Sequence, residues 1–298
     1  MSTAFIFPGQ GGQFVGQGQA WAGAEASIRE LFDMADDITE RPISKLCFEG
    51  PMEELSKTAN LQPAVLTVSL AALRKMKAEK GLPAFAAGHS LGEFGALVAA
   101  EVFDEKTALK LVAKRAAIMD EVASKNPGAM LAVIGLPAEE LETICELARN
   151  EGPVVMANFN TPEQIVLSGA SRAVAAAGKY VKMKGGRGIP LPLSGAFHSE
   201  LMADAAKRFA AELEKVVFAK PVCPVLPNAT AVPVNDENEI KKILMAQITS
   251  PVRWTQTVEA LAAAGVTEFA EAWPKAYLGS MTKKCLPKDT GALVTFQS

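Results

Sequence analysis

The sequence predicts an α/β protein in which buried strands run into helices and a smaller β-α-β-β-α-β unit forms a separate subdomain. Three observations carry this. Short apolar runs, TAFIF at 3–7 and the segment 84–87, read as buried strands that each enter a glycine-bearing turn and then a helical stretch. Between 128 and 193 the hydrophobic rhythm changes, and strand and helix periods alternate over a length that suits a separate subdomain. With 298 residues, 49% apolar and 21% charged, the chain has material for one large domain or for a large and a small one.

In chain order, TAFIF is a buried strand leading into PGQGGQFVGQG, a glycine-rich loop, with helical signals around 22–38. PAVLTVSLAALRKMKAEKG reads as a helix beginning at Pro63 and stopped by its last glycine. LPAFAAGHSLGEFGALVAAEV comes next: a strand at 84–87, a tight turn, and a helix from Leu91 whose Gly95, Ala96, Ala99 and Ala100 let it lie close on a sheet. MLAVIG is then a strand, PAEELETICELARN an amphipathic helix, and GPVVMANF and EQIVLSG two strands. SRAVAAAGKYVKMK is a helix and GIPLPLS a last strand. That order is the ferredoxin-like pattern. HSELMADAAKRFAAELEKV returns to a long helix, and the Pro-rich PVCPVLPNATAVPVND reads as irregular strand and loop.

Composition narrows the function classes. A net charge of −3 gives no reason to expect nucleic acid or an anionic membrane as partner. MSTAFIFPGQ lacks a basic start and has only a four-residue apolar run, too short for a signal peptide, and no apolar stretch approaches the ~20 residues of a membrane span. Cysteines stand alone at 47, 145, 223 and 285, which points to reduced, buried thiols in a cytoplasmic protein rather than to disulfides. With His89 and His198 as the only histidines, no metal site is expected.

GHSLGE at 88–93 fits G-x-S-x-G, in which a serine sits on a sharp strand-to-helix turn. The pattern is short enough to arise by chance, and the strand before and helix after it make the case for Ser90 as nucleophile. A serine hydroxyl needs a base. His89 is adjacent in the turn and its side chain points elsewhere, which leaves His198 in SGAFHSELM. An oxyanion would find the Leu91 backbone N–H at the first helical turn, and a second donor in PGQGGQ. That loop lacks G-K-[ST], and Phe14 stands where G-x-G-x-x-G needs its last glycine, so a nucleotide cradle is rejected. Arg115 falls on an apolar helical stripe with Ala108, Leu111, Val112, Ile118, Met119 and Val122. Two readings stand equal there: an internal ion pair, or a guanidinium kept for an anionic ligand.

Taken in order, PGQGGQ, GHSLGE, Arg115 in LVAKRAAIM, ANFNTPEQIVLSG, GAFHS and QITSPVRW resemble the malonyl-CoA:acyl carrier protein transacylases over nearly the whole chain. The resemblance implies an α/β fold with a hydrolase-like parallel-sheet core (1–126 and 195–298) and an inserted ferredoxin-like subdomain (127–194). It implies malonyl transfer from malonyl-CoA to the phosphopantetheine thiol of acyl carrier protein through a malonyl-Ser90 ester, without a cofactor, in fatty acid biosynthesis. His198 would be the base, oriented by a main-chain carbonyl at Gln247 rather than by an acid. The amides of Gln10 and Leu91 would form the oxyanion hole. Arg115 would grip the malonyl carboxylate, and Phe197 would narrow the space for an α-methyl branch. Leu91 too is typical of malonyl selection.

Two departures accompany the resemblance. Trp273, Pro274 and Lys275 replace a usual Gly-Pro-Gly, and Gly12 replaces a frequent serine. Because acyl carrier proteins are acidic, a local basic patch is expected to steer docking, with Lys283 and Lys284 near the family's active-site mouth and Lys182, Lys184 and Arg187 on the subdomain. A monomer is expected. Three rivals are a discrete acyltransferase serving a polyketide synthase, a serine thioesterase or esterase, and a silent carrier-binding scaffold.

Overall fold

The computed structural model describes residues 2–193, 195–287 and 290–297. Among the described residues nine strands form two sheets: β1 (Thr3–Phe7), β2 (Phe85–Gly88), β3 (Gly128–Ile134), β4 (Val154–Thr161), β5 (Gln164–Ala170), β6 (Arg187–Pro190), β7 (Val225–Leu226), β8 (Glu268–Glu271) and β9 (Leu293–Phe296). The larger sheet has the order β7-β2-β1-β8-β9, and all its pairings are parallel. β1 and β2 sit in its middle under helices on both faces, which is why they read as continuous apolar runs rather than as alternating ones. Their register pairs Phe7 with Gly88, so the loop after β1 and the turn after β2 leave the same edge side by side. In parallel sheets, sites form beyond the carboxyl ends of adjacent strands.

The helix Gly92–Ala99 returns from that turn onto the sheet. The approach is so close that a Cβ on Gly88 would lie 2.0 Å from the Gly92 carbonyl carbon, and one on Gly92 would lie 2.1 Å from the Phe7 oxygen. The glycines of GHSLG are therefore required by contact between backbones. The long helix Glu105–Lys125 is capped by Asp104, whose carboxylate accepts from the Thr107 N–H at 2.7 Å, a cap worth about 1 kcal/mol. Every residue of the stripe predicted around Arg115 is buried.

The smaller sheet is antiparallel in the order β4-β5-β3-β6, with helices Ala138–Ala148 and Ser171–Met183 contributing to one apolar cluster with its strands. This is the connectivity expected of a ferredoxin-like unit. It is tied to the core where the Phe159 N–H donates to the Val252 carbonyl and the Val252 N–H to that of Ala157, both at 2.8 Å.

Several boundaries differ from the expectation. The predicted helix at Pro63 begins at Thr58, with Pro63 inside it; Asn60 Nδ2 donates to the Glu54 carbonyl at 2.8 Å and secures the added first turn. The signal around 22–38 is two helices, Gln19–Ala24 and Ala26–Thr39. The long helix from His198 starts as a 3₁₀ turn, Glu200–Met202, and becomes α-helical only over Ala203–Glu214. The Ser199 hydroxyl accepts from the Leu201 N–H there, while His198 adopts φ 58°, outside any helix. The strand predicted over GIPLPLS ends at Pro190; Ser194 lies outside the described residues. Among the described residues no helix is long and apolar enough to cross a membrane, and all four cysteines are buried and free.

Candidate active site

Ser90 occupies the turn between β2 and the helix Gly92–Ala99 with φ 51°, a left-handed conformation that a non-glycine residue holds only under constraint. The constraint is visible. Asn228, 138 residues away in sequence, accepts from the Ser90 N–H at 2.5 Å and donates through Nδ2 to the Gly88 carbonyl at 2.6 Å. Gln247 Nε2 donates to the Ser90 carbonyl at 3.0 Å. Glu93 Oε2 in turn accepts from the Asn228 N–H at 3.0 Å and from Gln247 Nε2 at 2.9 Å. The polar groups flanking the strained turn are thus held from outside it.

His198 Nε2 lies 2.8 Å from Ser90 Oγ. On the other side of the ring Nδ1 faces two carbonyl oxygens, Ser250 at 2.9 Å and Gln247 at 3.2 Å. Two acceptors require a proton on Nδ1, which leaves Nε2 with its lone pair toward the serine hydroxyl. The resemblance assigned the orienting carbonyl to Gln247 alone; Ser250 shares that place and is the nearer. Burial first, then the charges of Arg115 and His89, push the His198 imidazole down to about 3, so it is neutral and able to accept a proton at physiological pH. His89 turns away as expected, its Nε2 lying 2.8 Å from Asn160 Oδ1.

Arg115 is fully buried, and its partners are neutral. Nη1 donates to Gln62 Oε1 at 2.7 Å, and Nη2 to Gln247 Oε1 at 3.1 Å and to Ser90 Oγ at 3.4 Å. The Phe94 ring stands 5.9 Å from the guanidinium carbon. Glu93 acts on it through charge, with the Gln247 amide bonded to both groups. Burial lowers the guanidinium to about 10, still protonated at neutral pH, and pushes the Glu93 carboxyl up to about 7. Arg115 Nε has no hydrogen-bond partner among the described residues. Of the two readings open for Arg115, the direct ion pair is absent among the described residues, and a buried cation beside the serine oxygen remains.

Leu91 directly precedes the helix Gly92–Ala99, and Gln10 lies in the loop after β1. That loop meets the turn closely: a Cβ on Gly9 would fall 2.6 Å from the His89 carbonyl oxygen. Phe197 is buried next to His198, its carbonyl accepting from Ser168 Oγ at 2.6 Å. The lysines Lys283 and Lys284 are exposed on the helix Leu278–Cys285. Lys182, Lys184 and Arg187 are exposed on the smaller unit, and Lys184 pairs with Glu140 at 3.1 Å.

Sequence reasoning missed Gln62, Asn228, Ser250 and the role of Glu93. Glu93 had a signal: a carboxylate on a helix that is otherwise wholly apolar. Asn228 and Ser250 had none, since each lies in an irregular segment and reaches the serine turn only through the fold.

Comparison with known proteins gives the same direction as the geometry. Residues 4–294 match the acyl transferase domain model. The chain is 42% identical over 283 residues to the malonyl CoA-acyl carrier protein transacylase of Bacillus subtilis, covering 94% of this chain and 89% of that one. The chain belongs to the malonyl-CoA:acyl carrier protein transacylase family of acyl transferases. An acyl-carrier-protein-S-malonyltransferase from Bartonella henselae superposes with a TM-score of 0.95 at 35% identity, covering 100% of this chain and 96% of that one. A malonyl-transacylase solved in complex with its type II PKS acyl-carrier protein gives 0.93 at 36% identity, with coverage of 99% and 95%. As a transacylase of this family, the chain is an enzyme of α/β fold, with its parallel core and antiparallel smaller sheet arranged as in these relatives.

Proposed function

We propose that the protein transfers the malonyl group from malonyl-CoA to the phosphopantetheine thiol of acyl carrier protein, through a malonyl-Ser90 ester, in the cytoplasm and in fatty acid synthesis. The observation that carries this reading is one oxygen with two neighbours: Ser90 Oγ lies 2.8 Å from a neutral imidazole nitrogen and 3.4 Å from a buried guanidinium that has no direct carboxylate partner among the described residues. The imidazole serves nucleophilic attack, and the guanidinium serves a substrate bearing its own carboxylate. The names of the relatives support the same donor and acceptor.

In the first half-reaction Ser90 Oγ attacks the thioester carbonyl and its proton passes to His198 Nε2. The C–S bond then breaks, and the departing CoA sulfur takes that proton. In the second half, His198 removes the proton from the pantetheine thiol, the sulfur attacks the ester, and the C–O bond breaks as the proton returns to Ser90. The carbonyls of Gln247 and Ser250 stabilise the transient imidazolium in both halves. Backbone N–H groups of Gln10 and Leu91 receive the oxyanion. In this reading the nucleophile belongs to a core (1–126 and 195–298), and the chain leading into His198 comes from its junction with a subdomain (127–194).

Intact-mass measurement after brief exposure to malonyl-CoA tests this. The wild type should gain one malonyl group, Ser90→Ala none, and His198→Ala should gain it roughly a thousandfold more slowly. A stoichiometric adduct on Ser90→Ala would remove the assignment. Release of free malonate at the same rate with and without carrier protein would mark a thioesterase. Preference for a polyketide carrier over a fatty acid carrier would move the enzyme to that pathway.

A further inference from the structure

The two departures from the family pattern, glycine at 12 and the replaced Gly-Pro-Gly at 273–275, meet in space. Tyr277 Oη donates to the Gln10 carbonyl at 3.0 Å, and Trp273 Nε1, on a fully buried ring, donates to the Gly12 carbonyl at 3.3 Å. The tyrosine ring fills the space beside the loop: a Cβ on Gly12 would fall 2.8 Å from its Cγ and Cδ1, and one on Gly11 would fall 2.2 Å from its Oη. Gly11 N–H donates to Gln13 Oε1 at 2.7 Å. The Gln10 carbonyl and the Gly11 N–H belong to one peptide plane, so that plane is held from both sides.

Tyr277 is itself fixed. Glu271, buried at the end of β8, accepts from the backbone N–H groups of Tyr277 at 3.1 Å, Leu278 at 2.7 Å and Gly279 at 2.8 Å. Lys275 Nζ stands 3.5 Å over the Phe14 ring and closes the outer side of the loop. A loop with glycines at 9, 11 and 12 would otherwise sample many directions for the Gln10 N–H, and an oxyanion donor works by being aimed before the reaction begins.

We propose that Tyr277, backed by Trp273, is a positioning residue for acyl transfer: a strut from the segment after β8 that anchors the Gln10–Gly11 peptide plane and so limits how the adjoining Gly9–Gln10 plane, which carries the Gln10 N–H, can turn. It rests on the reading above, in which that N–H receives the oxyanion. The glycine at 12 is then part of the same device, because only a residue without a Cβ leaves room for the ring.

Rapid-quench measurement of malonyl loading tests the strut. Tyr277→Phe deletes only the hydroxyl. It should slow the loading step by about 5- to 20-fold, a fraction of what losing an oxyanion donor outright costs, with KM for malonyl-CoA within about twofold and Tm within about 2 °C of wild type. Gly12→Ala should slow loading by about tenfold in the wild-type background and by less than about twofold when combined with Tyr277→Ala, where the ring is gone. Wild-type loading in Tyr277→Phe, a loss of rate that tracks a loss of Tm, or additive effects in the double variant would each overturn the strut. The Ser90→Ala mass control separates this from the larger reading. An adduct that still forms without Ser90 overturns the mechanism, whereas a Ser90-dependent adduct formed at full rate in Tyr277→Phe overturns the strut alone.

Discussion

Replacing Arg115 by alanine tests substrate class at its physical origin. In the free enzyme the guanidinium is fully buried against two amide oxygens and the Ser90 hydroxyl, and at about 10 it stays charged throughout the working pH range. If it receives the malonyl carboxylate, its removal leaves that carboxylate desolvated without a partner, at a cost of about 2–5 kcal/mol in kcat/KM. Acetyl-CoA carries no carboxylate. Its loss should be confined to the cost of freeing the Gln62 and Gln247 side chains, about 1 kcal/mol. The difference, about 1–4 kcal/mol, predicts that the malonyl-to-acetyl ratio falls by roughly 5- to 1,000-fold. Arg115→Lys should recover part of it, since an ammonium keeps the charge and loses the fork. The assay is kcat/KM for both thioesters on wild type and both variants, with Tm as a control on folding. Parallel losses for the two substrates would refute the argument and make Arg115 a purely structural cation.

Four further outcomes are expected. Because burial and the neighbouring Arg115 guanidinium hold His198 near 3, pre-steady-state loading at pH 5 should stay within about threefold of its value at pH 7. A histidine titrating near 6.5 would lose about 30-fold, and a midpoint there would contradict the environment described. The same depressed value means that His198 contributes stability above its unfolded value of about 6.5, which is lost as pH falls toward 3; Glu93 and Glu271, raised to about 7, favour the fold below about 4.5 and lose that contribution as pH rises through 7. Asn228→Leu should lower stability by about 1–3 kcal/mol in urea titration and slow loading as well, since the Ser90 N–H and the Gly88 carbonyl lose their partner; wild-type stability would show that the turn holds itself. Reversing the exposed Lys283 and Lys284 to Glu should raise KM for carrier protein several-fold and leave malonyl-CoA loading unchanged, and equal effects on both half-reactions would place docking elsewhere.

The sequence by itself determined what local periodicity and a short turn can carry. TAFIF reads as a buried strand, GHSLG as a tight turn between strand and helix, and Arg115 as a charge on an apolar helical stripe, because each depends on residues within a few turns of one another, whereas the contact of Gly92 with the Phe7 backbone came only with the fold. His198 could be chosen because the chain offers only two imidazoles and the other sits in the turn itself. What the tertiary structure decided is how the strained serine and the buried cation are held. Asn228, Gln247, Ser250 and Gln62 reach Ser90, His198 and Arg115 across 49 to 157 residues of chain. Asn228 and Ser250 lie in segments with no periodic signal of their own, and nothing local marks Gln62, on the helix Thr58–Lys80, as a partner of Arg115. The parallel sheet decides which loops leave adjacent strand ends, and hydrogen bonds made by irregular segments depend on that order rather than on any local preference. Tyr277 shows the same division. The sequence displays an unusual aromatic segment and an unusual glycine at opposite ends of the chain, and only the pairing of β1 with β8 makes them neighbours.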